Sequence, residues 1–473
     1  MLFNSLTFVL FIAIVLGVFS LRLPWKLRKS FLLLASYAFY AAWSPPFVVL
    51  LWISTAVDWL VARRMHREQH KGMRRLLLWV SLAVNLGMLG FFKYGTFLLE
   101  AFRDLLAMVD IAYQPPEVSI ILPIGISFYT FQTLSYTIDV YLRRSEPEES
   151  FLDFALFVTF FPQLVAGPIV RPYQLIPQFK HPVRATRDQL FWGLLLFTIG
   201  LFEKVILADA ALSAISDTVF NSPKPVACLD AWAAVLAFSG QIFFDFAGYS
   251  MCAIGISMSL GFSLPDNFRC PYAAIGFSDF WQRWHISLSG WLRDYLYIPL
   301  GGNRQGPRRT QINLMLTMLL GGLWHGAAWR FVVWGGIHGG YLVIERWLQR
   351  LFPRETPSMQ SLFRIPLALA TFLAVSLTWV LFRAETFSGA IDIYAALLGL
   401  HDDPVLWLET FDFLLCGTVV GGMLTVQWVM RDRRLEDVVS QCPWWATALF
   451  WSTLLTLIVL ARGQSNAFIY FQF

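Results

Sequence analysis

The chain has 473 residues, of which 57% are hydrophobic and only 14% charged. Soluble domains carry about 25% charged residues, so the composition argues against a water-soluble globular protein. The net charge of +5 gives no reason to expect a nucleic-acid partner; in a membrane chain it reports loop orientation.

Long apolar runs recur from one end to the other: Phe8 to Phe19, Leu76 to Phe92, Leu190 to Phe202, Ala231 to Phe244, Leu367 to Phe382 and Trp444 to Leu460. About 20 such residues cross a hydrocarbon core of about 30 Å, which predicts an all-α, multi-pass membrane protein with about ten or more membrane segments. Several runs are short or broken by Gly and Pro, so re-entrant or half-helices are expected where protein or a water-filled cavity covers them. The first segment starts at Met1-Leu2-Phe3-Asn4. It has no basic stretch before it and no small-residue cleavage site, and reads as a retained helix. No fixed repeat or linker divides the chain, which predicts a single transmembrane domain over 1–473.

Charge orients the loops. Arg22 to Lys29 carries no acid, and Arg63 to Arg75 holds six Lys/Arg against Glu68. Basic short loops face the cytoplasm. Ala101 to Ser119 has one Arg against Asp104, Asp110 and Glu117, and Ala384 to Asp412 has six acids and no Lys or Arg. Both are expected outside, as is the tail Arg462 to Phe473, while Arg431 to Arg434 is expected inside. Arg171 to Gln189 mixes Pro, bases and apolar residues and suits the cytoplasmic interface. Residues 261–310 form a second cytoplasmic or interfacial insert, rich in bases and in Trp281, Trp284, Trp291, Tyr295 and Tyr297, the ring types that prefer the membrane boundary. Within it, Ser278 to Leu296 is predicted as an amphipathic or partly inserted helix, with Ser278 as its N-cap and Asp279 in its first turn. Gly301 to Pro307 then breaks the chain.

The five cysteines are scattered and odd in number, which suits neither a disulfide framework nor a metal site. There is no Gly-x-Ser-x-Gly, P-loop or strand-to-helix Gly-x-Gly-x-x-Gly. Of seven histidines, His66, His70, His181 and His401 stand in polar loops. His285, His325 and His338 stand among apolar neighbours, where a polar ring is costly and marks a functional position. Their spacing matches no zinc motif. His325, in Trp324-His325-Gly326, is the candidate general base, because a neutral imidazole can take a hydroxyl proton and return it. Gly321, Gly322 and Gly326 would let a chain-like substrate approach it. His285 is the candidate second polar group, polarising an acyl carbonyl. His338 reads as a helix-packing residue. Asp245, a carboxylate in an apolar run, needs a partner, for which Arg283, Arg293 or Lys204 could serve.

Several stretches together resemble one family. They are Asp266-Asn267-Phe268, Phe280-Trp-Gln-Arg-Trp-His285 running on to Asp294-Tyr295, Tyr297-Ile-Pro-Leu-Gly-Gly-Asn303, and Trp324-His325-Gly326. In order and spacing they look like the membrane-bound O-acyltransferases, and most like the bacterial branch that serves alginate O-acetylation and teichoic acid D-alanylation. Ala35 to Tyr40, Pro123 to Gln132, Phe161 to Pro168 and Phe468 to Phe473 fit that branch too. The resemblance implies a ring of tilted helices around a tunnel, with His325 as catalytic base and His285 as its second polar position. Candidate substrate-binding residues are Trp324, Gln282, Arg283, Arg293, Asp294, Asn303 and Asp245.

The expected reaction is O-acetylation at a bacterial inner membrane, with no bound cofactor or metal. Acetyl-CoA is the natural donor, since its phosphates would suit Arg283, Arg293, Arg304, Arg308 and Arg309. By family analogy, the acetyl group passes to a periplasmic acetyltransferase that modifies an exported polysaccharide, alginate first. Cellulose, another exopolysaccharide or peptidoglycan would take the same chemistry. A D-alanyl-transfer reading would need an acyl carrier protein docked on the insert. A transporter or flippase with a proton-relay histidine is the rival of another class.

Overall fold

A computed structural model describes the chain except residues 117–119, 352–356, 462–467 and 470–473, and the side chains of 357–362. The end of the expected outer loop at Ser119 and most of the expected outer tail lie outside the described residues. The described chain is helical, with one isolated β-bridge between Val226 and Val405. A helix satisfies its own N–H and C=O groups, which a bilayer interior demands.

Among the described residues, six helices are long and apolar enough to cross a membrane: Pro45–Arg67, Lys71–Ala107, Arg187–Phe220, Cys228–Ser259, Phe363–Arg383 and Thr410–Met430. Leu6–Ser20, Phe387–Leu397 and Trp444–Leu460 are apolar but shorter. Gly306–His325 is a further 20-residue helix, diluted by Gly, His and polar residues. The chain divides into two compact units, residues 1–194 with 253–265, and residues 195–252 with 266–473.

The first unit packs α1 (Leu6–Ser20), α2 (Trp25–Ala41), α3 (Val48–Arg67), α4 (Lys71–Leu89) and α5 (Ile126–Tyr141). The Ser5 hydroxyl caps α1 by accepting the Phe8 N–H. A polar knot lies buried where α3, α4 and α5 meet. Asp58 accepts from the Ser81 hydroxyl, from Asn85 Nδ2 at 2.8 Å and from Thr137 Oγ1 at 3.2 Å. Ser54 donates to Asn85 Oδ1 at 2.7 Å. Such bonds join helices where the hydrophobic effect gives no preference of helix for helix over lipid. Lys29 pairs with Asp153 in the same unit.

The second unit carries α6 (Arg187–Phe220) from Leu195 onward, α7 (Cys228–Ser259) as far as Cys252, α8 (Phe277–Arg283), α9 (Ile286–Leu292), α10 (Gly306–His325), α11 (Trp329–Leu351), α12 (Pro357–Arg383) and α13 (Thr410–Met430). α6 and α7 cross in contact: a Cβ on Gly200 would lie 2.4 Å from the Gly248 carbonyl. The predicted helix Ser278 to Leu296 is not continuous. It breaks at Trp284-His285, where His285 has φ +42° in the left-handed region, then resumes as α9 and a π-helical turn, Arg293–Tyr297. Ser278 is not the cap either. Gly276 caps α8, and the Ser278 N–H donates to Glu345 Oε2 of α11 at 2.8 Å.

α10 and α11 pack backbone to backbone. A Cβ on Gly322 would fall 2.2 Å from the Phe331 carbonyl, and one on Gly335 would fall 2.2 Å from the Met318 carbonyl. A Cβ on Gly326 would strike the Phe331 ring at 2.0 Å. Gly322 and Gly326 therefore serve the hairpin and not the approach of a substrate. Gly322→Ala is expected to push the helices apart and cost about 1–3 kcal/mol. Gly340→Ala, whose Cβ would meet nothing within 4 Å, is the matched control. Thermal unfolding in detergent should show a lowered midpoint for the first and little change for the second.

Candidate active site

Two imidazoles meet inside the second unit. His325 is the last residue of α10, and the chain turns extended at Gly326. His285 sits at the break between α8 and α9. Both are buried, at 3% and 0% exposure, with ring centroids 6.4 Å apart. Trp324 packs on both, at 6.0 Å from His285 and 5.1 Å from His325. Phe246 of α7 meets His285 edge-on at 4.7 Å. Trp334 and Phe382 wall His325 at 5.1 and 5.5 Å. These apolar walls keep the imidazoles in a low-dielectric setting, which strengthens any electrostatic interaction made there.

His285 is held from the backbone outward. Asn267 accepts the Ile286 N–H on its carbonyl at 2.9 Å, and its side-chain oxygen lies 3.1 Å from His285 Nδ1. Burial pushes the His285 imidazole down to about pKa 3, so it is neutral at physiological pH. An unfolded histidine titrates near 6.5. The unfolded chain therefore binds this proton first as pH falls, and stability should drop from about pH 6.5 downward. His285→Asn is expected to flatten that part of the profile. A melting series between pH 7.5 and pH 4.5 checks it, and an unchanged slope would remove His285 as the cause.

α8 is anchored by an ion network. Asp279 binds Arg283 Nε and Arg431 Nη2, each at 2.7 Å, and accepts the Ile275 N–H at 2.9 Å. Burial alone would raise the Asp279 carboxyl, but that N–H and the two guanidiniums hold it below its usual range. Arg283 also donates to the Arg431 carbonyl at 3.1 Å, and its side chain is only 12% exposed. It is built into the scaffold that carries His285.

The other candidates separate by burial. Gln282 and Asn303 are exposed. Arg293 is 66% exposed at its side chain and pairs with its neighbour Asp294 at 2.8 Å. Arg304, Arg308 and Arg309 stand exposed around the start of α10. Asp245 is buried, and its partner is Lys204, which also binds Asp209 at 2.8 Å. Asp245 Oδ2 accepts the Ile469 N–H at 2.8 Å. Phe468 then packs on Phe246 at 5.5 Å and Tyr249 at 4.8 Å, and Phe246 in turn packs on His285. His338 lies 3.0 Å from Thr378 Oγ1, joining α11 to α12. Among the described residues, no group of three or more His, Cys, Asp or Glu side chains is placed to hold a metal ion.

The buried pair and its motifs fall within or beside a stretch with a known signature: residues 49–380 match the model of the membrane-bound O-acyltransferase family. The chain belongs to that family. As a membrane-bound O-acyltransferase it transfers acyl groups, and its apolar helices make it a multi-pass membrane protein. It is 41% identical to the probable alginate O-acetylase AlgI of Pseudomonas aeruginosa, over 93% of this chain and 83% of that protein. It is 37% identical to a peptidoglycan O-acetyltransferase of Helicobacter pylori, over 82% and 77%. It is 31% identical to a teichoic acid D-alanyltransferase of Bacillus subtilis, over 59% and 71%. These relatives are named as bacterial acyltransferases, and the apolar helices and the family place this chain in a bacterial inner membrane as a multi-pass protein.

Proposed function

We propose that this protein takes an acetyl group from a cytoplasmic donor and passes it across the inner membrane for O-acetylation of an exported polysaccharide, alginate first. The observation that carries the reading is the buried His285–His325 pair, 6.4 Å apart, inside the stretch that matches the family model. The length of the match to the Pseudomonas aeruginosa protein supports the choice of alginate. Peptidoglycan is the second acceptor, supported by the Helicobacter pylori relative.

His325 removes the acceptor hydroxyl proton as the oxygen attacks the acetyl carbonyl. The new C–O bond forms, the C–S bond to the donor breaks, and the proton passes to the leaving thiolate. His285 is the second polar group at this centre. Trp324, packed on both rings, sets their separation. Acetyl-CoA is the donor, its phosphates met by Arg304, Arg308, Arg309 and the exposed face of Arg293. Arg283 supports the site indirectly, through Asp279. A periplasmic acetyltransferase receives the acetyl group and modifies the sugar.

Inverted membrane vesicles containing the protein, loaded with alginate oligomers in the lumen and given radiolabelled acetyl-CoA outside, test the reading. Label should appear on the enclosed oligomers, or on a periplasmic partner enclosed with them, with free CoA released outside in step. Uptake of acetyl-CoA without release of CoA would support a transporter instead.

A further inference from the structure

Asn267 is buried, at 1% exposure, and its side-chain amide has four neighbours. Oδ1 lies 3.3 Å from the Ser287 backbone nitrogen, 2.8 Å from Ser287 Oγ and 3.1 Å from His285 Nδ1. Nδ2 donates to Ser250 Oγ of α7 at 3.0 Å. A backbone N–H can only donate, so the amide atom that faces Ser287 is the oxygen, and the amide cannot be turned over. An amide oxygen can only accept. Nδ1 of His285 must therefore carry the hydrogen, and in a neutral imidazole the lone pair is then on Nε2.

We propose that Asn267 is a positioning residue that fixes His285 as its Nδ1–H tautomer, so that His285 serves acyl transfer as a hydrogen-bond acceptor through Nε2. This rests on the reading of His285 and His325 as the reacting pair. It alters the part His285 plays there. A lone pair cannot stabilise an oxyanion, so His285 does not polarise the acyl carbonyl. It holds a group that has a proton to give, which here is the attacking hydroxyl. The hydroxyl proton still leaves to His325 and returns to the thiolate, and the hydrogen bond to Nε2 orients the oxygen while the C–O bond forms. Among the described residues, the rings packed on His285 include Phe246, Phe268, Trp324 and His325, and of these four His325 carries a titratable group. The buried, neutral state of His285 agrees with the acceptor role.

Two measurements decide it. Solid-state NMR of the full-length protein, labelled with ¹³C,¹⁵N-histidine in lipid, reads the tautomer directly, with the His285 signals identified by their loss in His285→Asn. The Nδ1–H signature is expected; an Nε2–H signature overturns the proposal. This measurement needs no variant of Asn267, so it holds even if such variants do not accumulate. Asn267→Asp places a carboxylate against Nδ1–H and stabilises the imidazolium, which removes the accepting lone pair as pH falls. In inverted vesicles with radiolabelled acetyl-CoA, the acid limb of kcat should move upward, because the carboxylate raises the His285 imidazole from its buried value of about 3 into the working pH range, with KM for acetyl-CoA unchanged. A purely structural role would lower activity at every pH without moving the limb, and that result also overturns the proposal. A His325→Ala protein that still transfers label would strike the base assignment instead, while the spectrum alone decides the tautomer.

Discussion

His325→Ala is expected to lower acetyl transfer by about 10²–10⁴-fold, the range typical of a lost general base, while the protein stays at normal abundance in the membrane. The expectation follows from position. His325 ends α10, so its loss interrupts no helix interior, and its ring is surrounded by Trp324, Trp334 and Phe382, which remain. Truncating one buried ring costs packing, but the walls are large aromatics that bury most of the site without it. His325→Gln keeps a polar side chain of similar reach and should be as inactive, because an amide does not take up a hydroxyl proton. Acetylation of the exported polymer, normalised to protein level, is the measurement. Retained acetylation would end the base assignment. Lost acetylation together with lost protein would point to a scaffold residue.

The second large effect is on folding. Lys204→Met is expected to deplete the protein from membranes. Lys204 pairs with both Asp209 and Asp245, and its side chain is 7% exposed. Removing the cation leaves two carboxylates uncompensated at membrane depth. Breaking a buried pair in this way costs about 3–5 kcal/mol, enough to undo a protein of ordinary stability. The combination Lys204→Met, Asp209→Asn and Asp245→Asn removes the charges together and should recover much of the abundance, since a buried ion cluster adds little over a neutral one of similar volume. Quantitative immunoblots of membrane fractions compare the two. If the single and triple variants are depleted equally, shape rather than charge holds these helices together.

The helical membrane fold was plain in the sequence, because long apolar runs leave few other structures open to a chain. The pairing of His285 with His325 was also legible, since each imidazole stands in surroundings that disfavour it. Three features were not. The break at His285 was hidden because Ser278 to Leu296 keeps a helix-compatible pattern and contains only Gly290 as a breaker. The role of Asn267 is not legible in its motif, since its partners Ser250, His285 and Ser287 lie 17 to 20 residues away. The amide beside an aromatic and ahead of a buried His was the available signal. Arg283 looked like a phosphate ligand because periodicity cannot show that Arg431, far along the chain, shares Asp279 with it.

The positive φ of His285 limits what else can occupy that position. Outside glycine, the left-handed region is readily adopted only by Asn, Asp and His, and a β-branched or bulky residue there is strained by its own Cβ. The backbone thus narrows the side chains open to this corner of the buried histidine pair before any chemistry is chosen, and an accepting nitrogen or amide is among the few that remain. Mutational scanning at 285 should therefore separate into two classes. Asn would lose turnover while keeping the fold, and Val, Ile and Thr would lose both.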